Sequence, residues 1–161
     1  MRLSQSMKPD TVVAVEVEWE GPLSLEAVLE KSDAGVDIGI YQIYGDHVVF
    51  GAGSLLYVGR AAEQTFAKRF QSHIGWLRDE NDVLIRLGRM EASLGELEYR
   101  RALIKDLEAL TICWHSPPYN STFINSYTGR PLRVKSWKNR GRLLPEFSSD
   151  WTPPNRPKEE E

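Results

Sequence analysis

Two phenols, a guanidinium, an imidazole and a carboxylate stand in order between residues 41 and 120 of this 161-residue chain. Tyr41 closes Gly39-Ile40-Tyr41 at the start of one apolar segment, and Tyr57 lies in Leu55-Leu56-Tyr57-Val58-Gly59 at the end of the next. Singly, each tyrosine reads as a strand aromatic. As a pair beside Gly39 and Gly59, where backbone can come close, they can hydrogen-bond a water or a phosphate oxygen in one groove. A free phenol has a pKa of about 10, so a base role needs a metal or a cation alongside. Arg69 and His73 are four positions apart and share a helix face beside the apolar stripe of Phe66 and Phe70. They read equally as a solvated Arg with a partly buried His, or as a phosphate fork with a proton-handling partner.

Glu108 interrupts an apolar row, with Ile104 and Ile112 one turn away on either side. A carboxylate there needs a cation or hydrogen bonds. Lys105 would satisfy it on a helix surface; a hard divalent ion, Mg²⁺ above all, would satisfy it in a site. Glu96 and Glu98 compete on the same helix but lie farther from Asn120. Asn120, after Pro117-Pro118-Tyr119, reads by itself as a turn residue.

The elements that must position these groups follow from periodicity. Val12–Trp19 alternates as a half-buried strand, and Leu23–Lys31 is a short helix opened by Pro22. Asp33-Ala34-Gly35 is a turn, and residues 1–10 are a flexible lead. Ile38–Tyr44 and Val48–Phe50 are strands about a Gly45-Asp46 turn, and Gly51–Ser54 is a flexible connection into a strand at Leu55–Arg60. A helix is predicted over Ala62–Leu77, a strand over Val83–Leu87, and a long helix over Leu94–Trp114 that Pro117-Pro118 terminates. The chain beyond Arg130, rich in Pro, Trp and basic residues, is expected to be mostly irregular.

Composition is that of an ordinary soluble domain, 41% hydrophobic and 27% charged. One cysteine, Cys113, excludes an intrachain disulfide and a thiolate metal cluster. With no run of membrane-helix length and no signal-like segment, a cytoplasmic location is expected. Net charge is −3, but the charge is unevenly spread. Acids crowd the first thirty residues and the last three, whereas none occurs between Ala109 and Pro145. That interval holds Arg130, Arg133, Lys135, Lys138, Arg140 and Arg142, with Trp137 among them: either a solvated face or a track for a phosphate backbone with an aromatic for stacking. His47 and His115 read as incidental. No Walker A or GxGxxG motif is present, so nothing suggests a nucleotide-dependent transferase or ligase.

Taken in order, Gly39-Ile40-Tyr41, Tyr57-Val58-Gly59, Arg69, His73, Glu108 and Asn120 resemble the signature of the GIY-YIG nuclease family. The twelve-residue step from Glu108 to Asn120 is similar to the nuclease domain of bacterial nucleotide-excision repair. The resemblance covers about residues 38–120. It implies an α/β (α+β) fold: a small three-stranded antiparallel sheet flanked by helices at 37–128, with a strand-helix addition at 1–36 and a basic, Pro-rich tail at 129–161. It also implies a metal-dependent DNA endonuclease with one Mg²⁺ (or Mn²⁺) per site on Glu108. Tyr41, Tyr57, Arg69, His73 and Asn120 would complete the catalytic set. Arg60 and the six basic residues from Arg130 to Arg142 would hold DNA. A homodimer or a protein partner would add specificity. Two departures stand out: sixteen positions separate Tyr41 from Tyr57, a long connection, and Arg60 follows Gly59 where relatives often carry Lys or a small hydroxyl residue. The alternative from a different class is a catalytically weak binding or interaction subunit of a larger assembly.

Overall fold

The computed structural model describes residues 11–32, 36–78 and 82–150; the expected lead at 1–10 and the Asp33–Gly35 turn lie outside them. Its strands are β1 (Val13–Leu23), β2 (Gly39–His47), β3 (Gly51–Ala61), β4 (Leu84–Met90), β5 (Leu132–Trp137) and β6 (Glu146–Ser148). The helices are α1 (Leu25–Leu29), α2 (Phe66–Gln71), α3 (Ile74–Leu77) and α4 (Leu97–His115), with a 3-10 turn at Ala92–Leu94.

The three-stranded antiparallel sheet is not what forms. One six-stranded mixed sheet runs β3-β2-β4-β1-β5-β6, with β1 and β5 parallel and every other pair antiparallel. Val15, Val17 and Trp19 are buried while Glu16 and Glu18 are exposed, so β1 covers the core with one face and hydrogen-bonds neighbours along both edges. It is interior to the sheet rather than an addition to it. The basic stretch also differs from expectation. Leu132, Val134 and Ser136 are buried and alternate with exposed Arg133, Lys135 and Trp137, which makes β5 a period-two strand. Charge at every second position hid that alternation behind an apparently irregular tail.

Both layers of helix find an apolar face. Residues Leu103, Ile104, Leu107 and Leu110 of α4 pack on Val15, Val17, Ile40, Leu132 and Val134. On the other face Val28 of α1, Phe66 and Phe70 of α2 and Leu77 of α3 pack with Tyr41, Ile43, Ile85 and Leu87. Successive residues of β2 therefore serve opposite cores: Ile40 faces α4 and Tyr41 faces α2.

Boundaries move for local reasons, first at α1, where Pro22 and Leu23 belong to β1 and the Ser24 side chain caps the helix by accepting from the Ala27 amide. Val48–Phe50 is the tip of the β2–β3 hairpin, not a strand; His47 Nδ1 accepts from the Val49 and Phe50 amides, each at 3.1 Å, and Gly51–Ser54 belongs to β3. The expected helix at 62–77 starts late and breaks, because β3 continues to Ala61 and the Thr65 side chain caps α2 by accepting from the Lys68 amide. Ser72 then turns back, its hydroxyl donating to the Arg69 carbonyl at 2.6 Å. The long helix begins at Leu97 because Gly95, at φ 154°, ends the 3-10 turn before it.

Candidate functional site

The site is assembled around Gly59 on β3, one of the two edge strands of the sheet. Pairing sets Tyr41 opposite Gly59 and Ile43 opposite Tyr57, so both phenols lie on the α2–α3 face. Their ring centres are 6.2 Å apart. The tip of Tyr41 lies directly over the Gly59 Cα: a Cβ there would run into the Tyr41 ring and hydroxyl, and would sit 2.7 Å from Tyr57 Cε1. Gly39 has a different reason, since a Cβ there would strike the Gly88 carbonyl across the β2–β4 pair. One glycine makes room for a neighbouring strand, the other for a phenol.

Arg69 and His73 converge on the same hydroxyl. Arg69 Nε donates to Tyr41 Oη at 3.3 Å, and His73 Nε2 lies 2.6 Å from it. Arg69 also bonds Tyr57. His73 is not on one continuous helix with Arg69; it occupies the turn between α2 and α3, where its amide donates to the Phe70 carbonyl at 3.0 Å. On its far side, Trp76 Nε1 donates to His73 Nδ1 at 3.0 Å. Aromatic contacts seal the cluster, with Phe70 edge-on to Tyr41 at 4.6 Å and Trp76 edge-on to Tyr57 at 6.1 Å. Burial, then the nearby Tyr57, pushes the Tyr41 phenol well above its ordinary range, with Arg69 opposing. Burial, then the Arg69 charge, pushes His73 down to about 4, so the imidazole is neutral at physiological pH.

Glu108 comes from the opposite layer. It is 7% exposed on α4, and its Oε2 accepts from Arg60 Nη1 in a short ion pair. Arg60 shares the α4 side of β3 with Val58, so acid and phenols approach the same edge from opposite faces of the sheet. The Glu108 charge opposes ionisation of Tyr41, and the Arg69 charge favours ionisation of Glu108. Burial still dominates and leaves the Glu108 carboxyl above its ordinary value, with Arg60 pulling the other way. Among the described residues no three His, Cys, Asp or Glu side chains converge as a metal cage. Glu108 is the buried carboxylate at this edge, and Arg60 already occupies its Oε2.

Asn120 makes a pair of hydrogen bonds that copies a neighbouring strand: Oδ1 accepts from the Val58 amide at 3.0 Å, and Nδ2 donates to the Val58 carbonyl at 2.9 Å. The Tyr119 amide donates to the Leu56 carbonyl at 2.9 Å. These contacts pin the otherwise open edge of β3 between Tyr57 and Gly59. Glu96 and Glu98 stay exposed at the N-terminal end of α4, away from the cluster.

The basic residues do not gather at this edge. Arg130 pairs with Asp106 at 2.7 Å and covers the Tyr99 ring, while Lys138 pairs with Glu18 at 2.6 Å. Lys135 lies 4.5 Å over the Trp137 ring, and Arg133 shares its exposed face of β5. The Arg140–Arg142 loop is tied to β2, with the Arg140 carbonyl accepting from Gln42 at 3.1 Å and the Arg142 amide donating to Tyr44 at 2.8 Å. Arg60 alone of the expected DNA-holding residues stands at the site.

Sequence reasoning overlooked Trp76, although it lies three positions after His73 and so one turn from it. His115 is structural rather than incidental: its Nδ1 donates to the Thr111 carbonyl at 2.8 Å and its Nε2 accepts from the Leu144 amide at 3.0 Å. No family model, curated protein or solved structure matches this chain. No helix among the described residues is long and apolar enough to cross a membrane.

Proposed function

We propose that this protein is a metal-dependent endonuclease that hydrolyses phosphodiester bonds in DNA. The observation that carries the reading is the meeting of Tyr41, Tyr57, Arg69 and His73 over Gly59, with the Arg60–Glu108 pair reaching the same strand edge from the other face of the sheet. Arg69, already donating into the phenol cluster, is placed to stabilise the negative charge that builds on a phosphoryl group under attack. Tyr57, the half-buried phenol, would offer its hydroxyl to a water or a phosphate oxygen, while His73 and Arg69 hold the buried Tyr41 beside it. Glu108 would hold one Mg²⁺ or Mn²⁺, with Arg60 giving up part of its hold on the carboxylate. A bound divalent ion supplies Lewis acidity toward the scissile phosphate. Asn120 holds the Val58 peptide between Tyr57 and Gly59.

The test is nicking of supercoiled plasmid with and without Mg²⁺, for the parent and for Glu108→Ala. Metal-dependent nicking is expected from the parent, and a loss of at least about 100-fold from the variant. A parent that never cuts, or a variant that cuts as well as its parent, overturns the reading.

A second reading has its own support. The ion pair already satisfies Glu108, and Asp106 and Glu18 already neutralise Arg130 and Lys138. Both facts suit a binding or interaction subunit that keeps the fold with little catalysis. DNA retention without nicking in the presence of Mg²⁺ would favour it.

A further inference from the structure

We infer that Trp76 is a positioning residue that fixes the His73 imidazole as its Nε2–H tautomer and so makes the buried Tyr41 hydroxyl the acceptor, not the donor, of the hydrogen bond they share. The inference rests on the phosphodiesterase reading only for the part Tyr41 would take in that site.

An indole N–H has nothing to offer but a proton. At 3.0 Å from His73 Nδ1, the Trp76 Nε1 proton requires a lone pair on that nitrogen. A neutral imidazole then carries its single proton on Nε2. Because Nε2 lies 2.6 Å from Tyr41 Oη, the phenol oxygen must accept that bond. The same oxygen accepts from Arg69 Nε, which also can only donate, at 3.3 Å. Both acceptor positions of the hydroxyl are then filled. Its remaining capacity is its own O–H, which is turned away from the two donors. A phenol whose lone pairs are both engaged has no site at which to take a proton from water. The direction of the bonding thus runs from Trp76 to His73 to Tyr41. Burial of His73 and Tyr41 acts in the same sense, because it keeps both groups neutral.

The tautomer can be read without substrate. In the full chain labelled with nitrogen-15, two- and three-bond proton–nitrogen correlations distinguish a protonated from a bare ring nitrogen on His73. The expected parent spectrum has Nε2 protonated and Nδ1 bare, with a coupling across the hydrogen bond from the Trp76 indole nitrogen to Nδ1. Trp76→Phe keeps a ring and removes the donor. The Nδ1–H form, suppressed in the parent, should rise about tenfold, the weight of one net hydrogen bond. A parent with Nδ1 protonated, or a folded Trp76→Phe chain with unchanged tautomer populations, overturns the inference. Should that variant not fold, the parent's coupling decides by itself: present it supports the assignment, absent it removes it. These spectra do not depend on DNA cleavage, so failure of the nuclease reading would show separately, as absence of nicking by a parent with the expected tautomer.

Discussion

The two sides of the β3 edge hold their polar groups by different means. On the α2–α3 side, Tyr41, His73 and Trp76 form a chain of neutral donors and acceptors, with Arg69 its one charged member. On the α4 side, Glu108 is held by a single cation, Arg60, whose side chain is 38% exposed. Directionality fixes the first arrangement and charge balance fixes the second. The phenol side should therefore be sensitive to shape and tautomer, and the acid side to charge, pH and divalent ions.

The two glycines give the harshest way to separate fold from site. Gly39→Ala places a methyl against the Gly88 carbonyl, which is backbone and has nowhere to go, and should cost about 3 kcal/mol in a denaturant titration. Gly59→Ala meets mainly the Tyr41 side chain. It should cost about 1–2 kcal/mol and displace the ring, visible as loss of the His73–Tyr41 bond by NMR. Equal stability losses with an undisturbed Tyr41 would refute the distinction.

On the acid side, Arg60→Met leaves Glu108 buried without its partner. A deeply buried broken pair costs more, but solvent access at Arg60 reduces the expected loss to about 1–2 kcal/mol. Glu108→Gln in the same background should restore most of it; a double variant as unstable as Arg60→Met would show that the charge was not the cause.

Acid should sharpen the contrast most gently. The folded-state pKa of His73 is depressed from 6.5 to about 4, so its contribution is present above pH 6.5 and lost as pH falls toward 4. The carboxyl of Glu108 is raised from 4.5, so its contribution is complete below pH 4.5 and lost as pH rises through its folded value. The two residues thus tilt stability in opposite directions. Unfolding midpoints measured from pH 7 to 4 should fall less in His73→Asn than in the parent. In Glu108→Gln the acid-side support should disappear. His115, also depressed by burial, adds to the parent slope in every variant and cancels in the differences.

Much of the site was legible in the sequence because it follows local rules. The glycines beside Tyr41 and Tyr57, the turn-spaced Arg69 and His73, and the acid in an apolar helical row all mark places where bland residues would have sufficed. What was hidden is non-local. No window around Val13–Leu23 reveals that it lies between β4 and β5, because pairing with strands 62 to 119 positions away leaves no periodic trace. In β5 the alternation was present, but basic residues on its exposed face drew attention to charge instead of period. Asn120 read as a turn residue because its partner, the Val58 peptide, is sixty-two positions away. Trp76 went unnoticed for a different reason: an indole is usually packing, and only the nitrogen it faces shows otherwise.

The parallel pairing of β1 with β5 has a practical corollary. Val13 opens β1 opposite Leu132, and the Ser149 amide donates to the Leu132 carbonyl at 2.9 Å. Entry and exit of the described chain are thus held by adjacent residues, the Val13 amide donating to the Pro131 carbonyl and the Ser149 amide to that of Leu132, at one corner of the sheet. Such a module could be spliced into a surface loop of a host protein, or have its ends joined and new ones opened at the Val48–Phe50 tip, without unthreading a strand.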